Sequence, residues 1–286
     1  MQESKHILAY LKSMRNSLTK SEKKIADLIL TQPEKIVYMT ISEISSLSQV
    51  GDTTVLRLCR KLGFPSFQNF KYALVQDITN READGGDAGL QIKKEDSLEE
   101  ISKKVIDYNT GILEETSSLI DHKELAAACD AIINARKIAI FAVGASLITG
   151  LDLHLKLMRI GYQISCHLDL HTQMMAASLL SESDLAIGIS FSGSSKDTIK
   201  NLILAKDAGA SILCITHHIN SPITDIADIT LLHGAKEDPL EGGSFSSKIA
   251  QISILDILYH AVYIKSGADI SRNKNKTSKA ITDSMI

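Results

Sequence analysis

Four serines fall within six residues in the run Ser190-Phe191-Ser192-Gly193-Ser194-Ser195-Lys196-Asp197-Thr198. The run follows the apolar segment Asp184–Ser190, which reads as a buried strand, and leads into a helical stretch from about Ser195 to Ala208. In open α/β sheets, ligands lie at the carboxyl ends of strands. A helix N-terminus offers an anion its unpaired N–H groups and the positive end of the helix dipole. Hydroxyls there add neutral donors, and a glycine lets the backbone come close. The chemistry that fits is capture of a phosphate group by Ser190, Ser192, Gly193 and Ser195. A second loop, Gly144-Ala145-Ser146, ends the apolar run Lys137–Val143 and offers the same device, which brings in Ser146. Serines at such junctions also serve as ordinary helix caps, but two matching loops in one chain favour an anion.

Other phosphate and acid–base chemistries fit less well. There is no G-x-x-x-x-G-K-[ST] run for ATP and no G-x-G-x-x-G after the first strand for a dinucleotide, so no cofactor is expected. Aldose–ketose isomerisation needs a base near the C2 proton and a group to move the oxygen-bound proton. His171, His217, His218 and Glu241 are the available groups, yet none is paired with an orienting acid at a recognisable spacing. No catalytic residue and no metal site is expected, with a phosphosugar isomerase or related enzyme as the alternative reading.

A second set of residues suits nucleic acid. From Asp52 to Leu62, Val55, Leu58, Cys59 and Leu62 recur at i, i+3, i+4, i+7. At about 100° per residue, Thr53, Arg57 and Arg60 then point the other way, flanked by Thr54 and Lys61. A recognition helix needs this division, one stripe on its own domain and one in the major groove. Arg57 can pair bidentately with guanine, while Arg60 and Lys61 suit phosphates. Two arginines and a lysine are also an ordinary solvated face, and such a face could meet a protein partner instead. Steep salt dependence separates duplex DNA from a protein partner.

These groups sit in two kinds of texture. Thr19-Lys20-Ser21-Glu22, Thr40-Ile41-Ser42-Glu43 and Ser97-Leu98-Glu99-Glu100 are capping boxes that open helices. Gly63 suits a left-handed helix stop, with Pro65 beyond. Residues 1–79 therefore read as an all-α helix-turn-helix domain, 80–96 as a linker and 97–136 as connecting helices. From residue 137, apolar strands alternate with helices: Lys137–Val143, Tyr162–His167, Asp184–Ser190, Ser211–Thr216 and Ile229–His233, then a helix from Phe245 to Lys265. That pattern predicts an α/β doubly wound parallel sheet over 137–265. Residues 266–286 read as a polar tail ending in a frayed helix or disorder.

Bulk properties narrow the field. Residues 1–80 carry a net charge of +4, against −7 for the remainder, so only the first part suits a polyanion. Four singly spaced cysteines argue against a disulfide framework or zinc site and fit a reducing, cytoplasmic setting. No apolar run reaches the roughly 18 residues of a membrane span, and the N-terminus lacks a signal-peptide core. Aromatics at 5 % and no Trp leave little for stacking on single strands.

The stretch TISEISSLSQVGDTTVLRLCRKLGFPSFQNFKYAL resembles the N-terminal helix-turn-helix of the RpiR family of bacterial sugar-metabolism regulators. It departs where the family commonly has Ser and this chain has Gly51, which removes a hydroxyl at the start of the recognition helix. The segments GAS, DLHTQ, SFSGSSKDT and SSKIAQISILDILY resemble the sugar isomerase (SIS) domain that follows in that family. The resemblance implies phosphate or sugar contacts at Ser146, Ser190, Ser192 and Ser195, with His171 and Glu241 where further ligand contacts fall. It also implies regulation of operator binding by a hexose or amino-sugar phosphate, N-acetylmuramic acid 6-phosphate among them. Two-fold operators call for a homodimer or homotetramer. The Leu98–Ile112 stripe and the apolar face of the final helix are the candidate surfaces for it.

Overall fold

The computed structural model describes residues 7–81, 86–87, 92–234 and 245–283. The chain divides into two compact units, the first holding the described residues up to Thr110 and the second those from Gly111.

The first unit is helical: α1 (Ile7–Met14), a 3₁₀ turn, α2 (Lys20–Thr31), α3 (Pro33–Ile36), α4 (Ile41–Ser48), α5 (Asp52–Lys61) and α6 (Phe67–Arg81). Local chemistry sets the ends. Thr19 and Thr40 each accept from the N–H three residues on, and Glu22 and Glu43 each return the bond, completing two capping boxes. Pro33 opens α3 at a position where a missing N–H costs nothing. The turn into α5 takes its left-handed residue at Gln49 (φ 54°), while Gly51 caps α5 in an extended conformation. At the other end, the Gly63 N–H bonds Arg60 O and the Phe64 N–H bonds Cys59 O, with Gly63 at φ 91°. These two bonds are a Schellman stop. Ile25, Ile29, Ile44, Val55, Leu58, Phe70 and Leu74 share one core. The Leu8 N–H donates to Asp77 at 2.7 Å and ties α1 to α6.

In the stretch read as a linker, α6 runs on to Arg81 and two short strands, β1 (Gly86–Asp87) and β2 (Ile92–Lys93), pair antiparallel. The third capping box, Ser97 with Glu100, then opens α7 (Leu98–Leu119).

The second unit is a parallel sheet between two helix layers. Its elements are α8 (His122–Asn134), β3 (Ile138–Ala142), α9 (Gly144–Arg159), β4 (Ile164–Cys166), α10 (Leu170–Ser178), β5 (Leu185–Ile189), α11 (Lys196–Asp207), β6 (Ser211–Thr216), β7 (Ile229–Leu232), α12 (Phe245–Lys265) and α13 (Ala268–Thr282). The strand order is β4-β3-β5-β6-β7, all parallel. Alternate side chains of β3 divide between two cores. Ile138, Ile140 and Ala142 face α8, α9 and α12, whereas Ala139 and Phe141 face α10 and α11. The chain leaves β3 for β4 on one side, then returns to β5 on the other. The strand order therefore reverses between β3 and β5.

The tail differs from its sequence reading. Instead of fraying, residues from Ala268 to Thr282 form α13, with Ile270 buried in the main core. The Asn273 amide donates to Ile160 O and the Thr277 hydroxyl to Arg159 O, so α13 seals the C-terminal end of α9.

Candidate functional site

In the first unit, α5 turns Val55, Leu58 and Cys59 into the core and leaves Thr53, Arg57, Arg60 and Lys61 exposed, with Thr54 half-buried. The expected basic face therefore exists as a surface. Two of its cations are already engaged. Glu22 of α2, only 3 % exposed, accepts from Lys61 Nζ at 3.1 Å and lies 3.8 Å from Arg57 Nε. Burial alone would raise the Glu22 carboxyl; Thr19 and Lys61 together overcome it and hold the group below the ordinary range. The capping box found Glu22 in the sequence, but its second role depends on a helix 39 residues away.

In the second unit, the two serine-bearing loops start side by side. Ala142 pairs in register with Ile189, so both loops leave the sheet from adjacent strands, about 4.8 Å apart. This is the point of strand-order reversal, where open α/β sheets bind ligands. Both loops carry a left-handed glycine, Gly144 (φ 58°) and Gly193 (φ 60°). A Cβ on Gly193 would collide with the Ser221 hydroxyl and approach Ile223, so close packing as well as φ demands glycine.

The ordinary-cap explanation fails at Ser195. That residue occupies the N-cap of α11, yet its side chain makes no cap bond; its Oγ accepts from Ser190 Oγ at 3.2 Å. Val143 likewise gives α9 no side-chain cap. Both helices thus begin with first-turn amides that no capping side chain covers. Ser192 Oγ accepts from the Ser194 N–H at 3.3 Å, and Ser194 Oγ donates to Ser192 O, which curls the loop on itself. Ser146 Oγ accepts from Gln251 of α12, whose own Oε1 accepts from Thr149.

Other groups hold this rim in place. The buried Gln173 donates to Ala142 O at 3.1 Å and His167 O at 2.8 Å, and accepts from Asn201 at 3.1 Å. It joins the ends of β3 and β4 to α11, a positioning role that the DLHTQ motif alone did not reveal. His171 is exposed on α10, and Glu241 lies outside the described residues. His217 stacks on Phe191 at 5.1 Å between centroids, with His218 and His233 packed around the same ring. His233 is fully buried, and burial pushes its imidazole down to about 3. Its Nδ1 bonds Gly234 O at 2.7 Å. These histidines form a packed cluster beside Phe191.

An apolar groove of about 590 Å³ on another part of this unit is lined by Leu113, Ile249, Ile252, Asp256, Ile257 and His260. Among the described residues no group of three or more His, Cys, Asp or Glu is placed to hold a metal. No described helix is long and apolar enough to cross a membrane.

Comparison with known proteins agrees with both halves. Residues 5–81 match the family model "helix-turn-helix domain, rpiR family", and residues 131–261 match the SIS domain. The chain is 38 % identical to an HTH-type transcriptional regulator of Haemophilus influenzae, covering 100 % of both chains. A Clostridium perfringens regulator of the same type is 34 % identical, over 96 % of this chain and 98 % of that one. Among solved structures, Vibrio vulnificus NanR complexed with ManNAc-6P superimposes with a TM-score of 0.87 at 28 % identity. The match covers 98 % of this chain and 99 % of that one.

Proposed function

The chain belongs to the RpiR family of helix-turn-helix transcriptional regulators, and from that premise we propose that a hexose or amino-sugar phosphate, held at the β3 and β5 loops, sets its affinity for a two-fold operator. The observation that carries this reading is the pair of uncapped helix N-termini at the strand-order reversal, with Ser190, Ser195 and Ser146 gathered there. Free amides and hydroxyls solvate a phosphate without needing a fixed cation. Ser192, Gly193 and the exposed His171 complete the ligand set, with Glu241 as a further contact. The ManNAc-6P bound by the Vibrio vulnificus neighbour supports an amino-sugar phosphate in particular.

Thr53, Thr54, Arg57, Arg60 and Lys61 are the proposed DNA contacts, Arg57 at a guanine edge and the others at phosphates or nearby bases, with Lys61 held back by its pairing to Glu22. A dimer supplies two such heads; the α12 groove with Leu113 is a proposed surface for it. The effector changes occupancy only by preferring one arrangement of the heads over another, because equal affinity for both shifts nothing.

A thermal-shift screen of phosphosugars, beginning with ManNAc-6P, tests the reading. The phosphorylated sugar is expected to raise Tm, and its unphosphorylated parent to leave it in place. Ser192→Ala with Ser195→Ala should abolish that rise and spare duplex binding. No Tm response to any phosphosugar, or steady turnover of the one that binds, would replace sensing with another function.

A further inference from the structure

Among the described residues three capping boxes form, at Thr19, Thr40 and Ser97. Glu100 is exposed and Glu43 half-buried, but Glu22 is 3 % exposed and faces cations from a different helix. A cap glutamate needs only to reach its own Thr19 N–H, which Glu22 does at 2.8 Å. Sealing it against Lys61 and Arg57 adds nothing to that bond. A carboxylate withdrawn from water is costly unless paired, so the pairing holds Lys61 towards the protein. Lys61 is 36 % exposed, against 65 % for Arg57. At Arg57 it is the Nε edge that faces Glu22, which leaves the terminal nitrogens for a base.

We infer that Glu22 is a specificity-determining residue of the DNA interface: it withholds Lys61 from phosphates and orients Arg57 for base reading. This deepens the proposed DNA-binding function and rests on it. The physical reason is the division between the two kinds of contact. Phosphate contacts raise affinity for every sequence alike, while base contacts discriminate. An acid that cancels one phosphate-seeking cation and aims another lowers indiscriminate binding more than operator binding. The ratio of the two affinities rises.

The test uses the full-length protein on two duplexes of equal length. One carries a site selected from a random library by the wild-type protein; the other is a scrambled version. Glu22→Gln keeps a carbonyl for the Thr19 N–H and removes the charge. Its plot of log K against log salt on the scrambled duplex is expected to steepen by about one per released cation. That corresponds to a three- to fourfold greater loss between about 50 and 200 mM salt. Its ratio of selected to scrambled affinity is expected to fall. Thr19→Ala, which damages the cap and leaves the charge, should lower Tm without changing the slope. Should the glutamine variant be too unstable to assay, Glu22→Asp retracts the carboxylate from both cations and steepens the slope in part. An unchanged slope and ratio in the Glu22 variants would overturn the inference. Failure of the wild-type protein to bind either duplex with salt dependence would instead overturn the DNA-binding reading beneath it.

Discussion

At the scale of single residues, three positions make separable predictions. Arg57→Ala should remove discrimination between the selected and scrambled duplexes, about 1–3 kcal/mol for a bidentate guanine contact, measured by competition binding. The same variant should keep its thermal response to phosphosugar; loss of both would contradict separate heads for separate ligands. Gly51 leaves room for a side chain, since an added Cβ would meet only Thr53 Oγ1 at 3.8 Å. Gly51→Ser should therefore supply the missing N-cap, adding a few tenths of a kcal/mol to stability. Its hydroxyl should also tighten duplex binding modestly, both read from one sample by calorimetry and titration. Gly193→Ala meets both a left-handed φ and Ser221, so it should abolish the effector response. Residue types were legible in the sequence wherever the chemistry was local, as in SFSGSS and the Arg57 face. The long-range roles of Glu22 and Gln173 were not, because Lys61 and Asn201 lie 39 and 28 residues away from them. A pattern scored along one helix cannot register a carboxylate arriving from another.

At the scale of elements, the capping boxes and the strand runs carried most of the fold. All three boxes form, and the five apolar runs from Lys137 onward became the five strands of one sheet. Thr40→Ala should cost about 1 kcal/mol and lower the melting temperature of the first unit by several degrees. The misread element was the last. In α13, Lys274, Lys276 and Lys279 mask an anchoring made through the buried Ile270 and through bonds linking Asn273, Thr277 and Ser278 to the end of α9. The segment is polar on average, and a polar average hides an amphipathic helix because it says nothing of how the few apolar residues are spaced. The Lys274 ammonium lies over the Tyr263 ring at 4.8 Å, which uses a charged residue for packing. Ile270→Ala should destabilise the second unit by about 2–4 kcal/mol, visible as a lowered calorimetric transition.

At the scale of the whole molecule, a +4 stretch and a −7 remainder are joined in one chain, so salt and acidity act on different parts. The second unit should lose stability as pH falls below the ordinary imidazole value near 6.5. There the unfolded chain protonates His233, while the folded one resists until about 3. The sign follows: stability falls with falling pH, by up to about 1.4 kcal/mol per pH unit for one proton. His233→Gln should flatten that dependence in denaturant titrations between pH 6.5 and 4; an unchanged slope would remove His233 as its source. The rim formed by Ser146, Ser190 and Ser195 has a different relation to acidity. Its donors are hydroxyls and amides, with no proton to gain or lose near neutrality. A sugar phosphate gives up its second proton near pH ~6, so mild acidification changes the guest and leaves the loops as they were. Under the function proposed above, capture at those serine loops, apart from any contribution of His171, would track the dianion, so that the molecule would register the ionisation state of its metabolite along with its abundance.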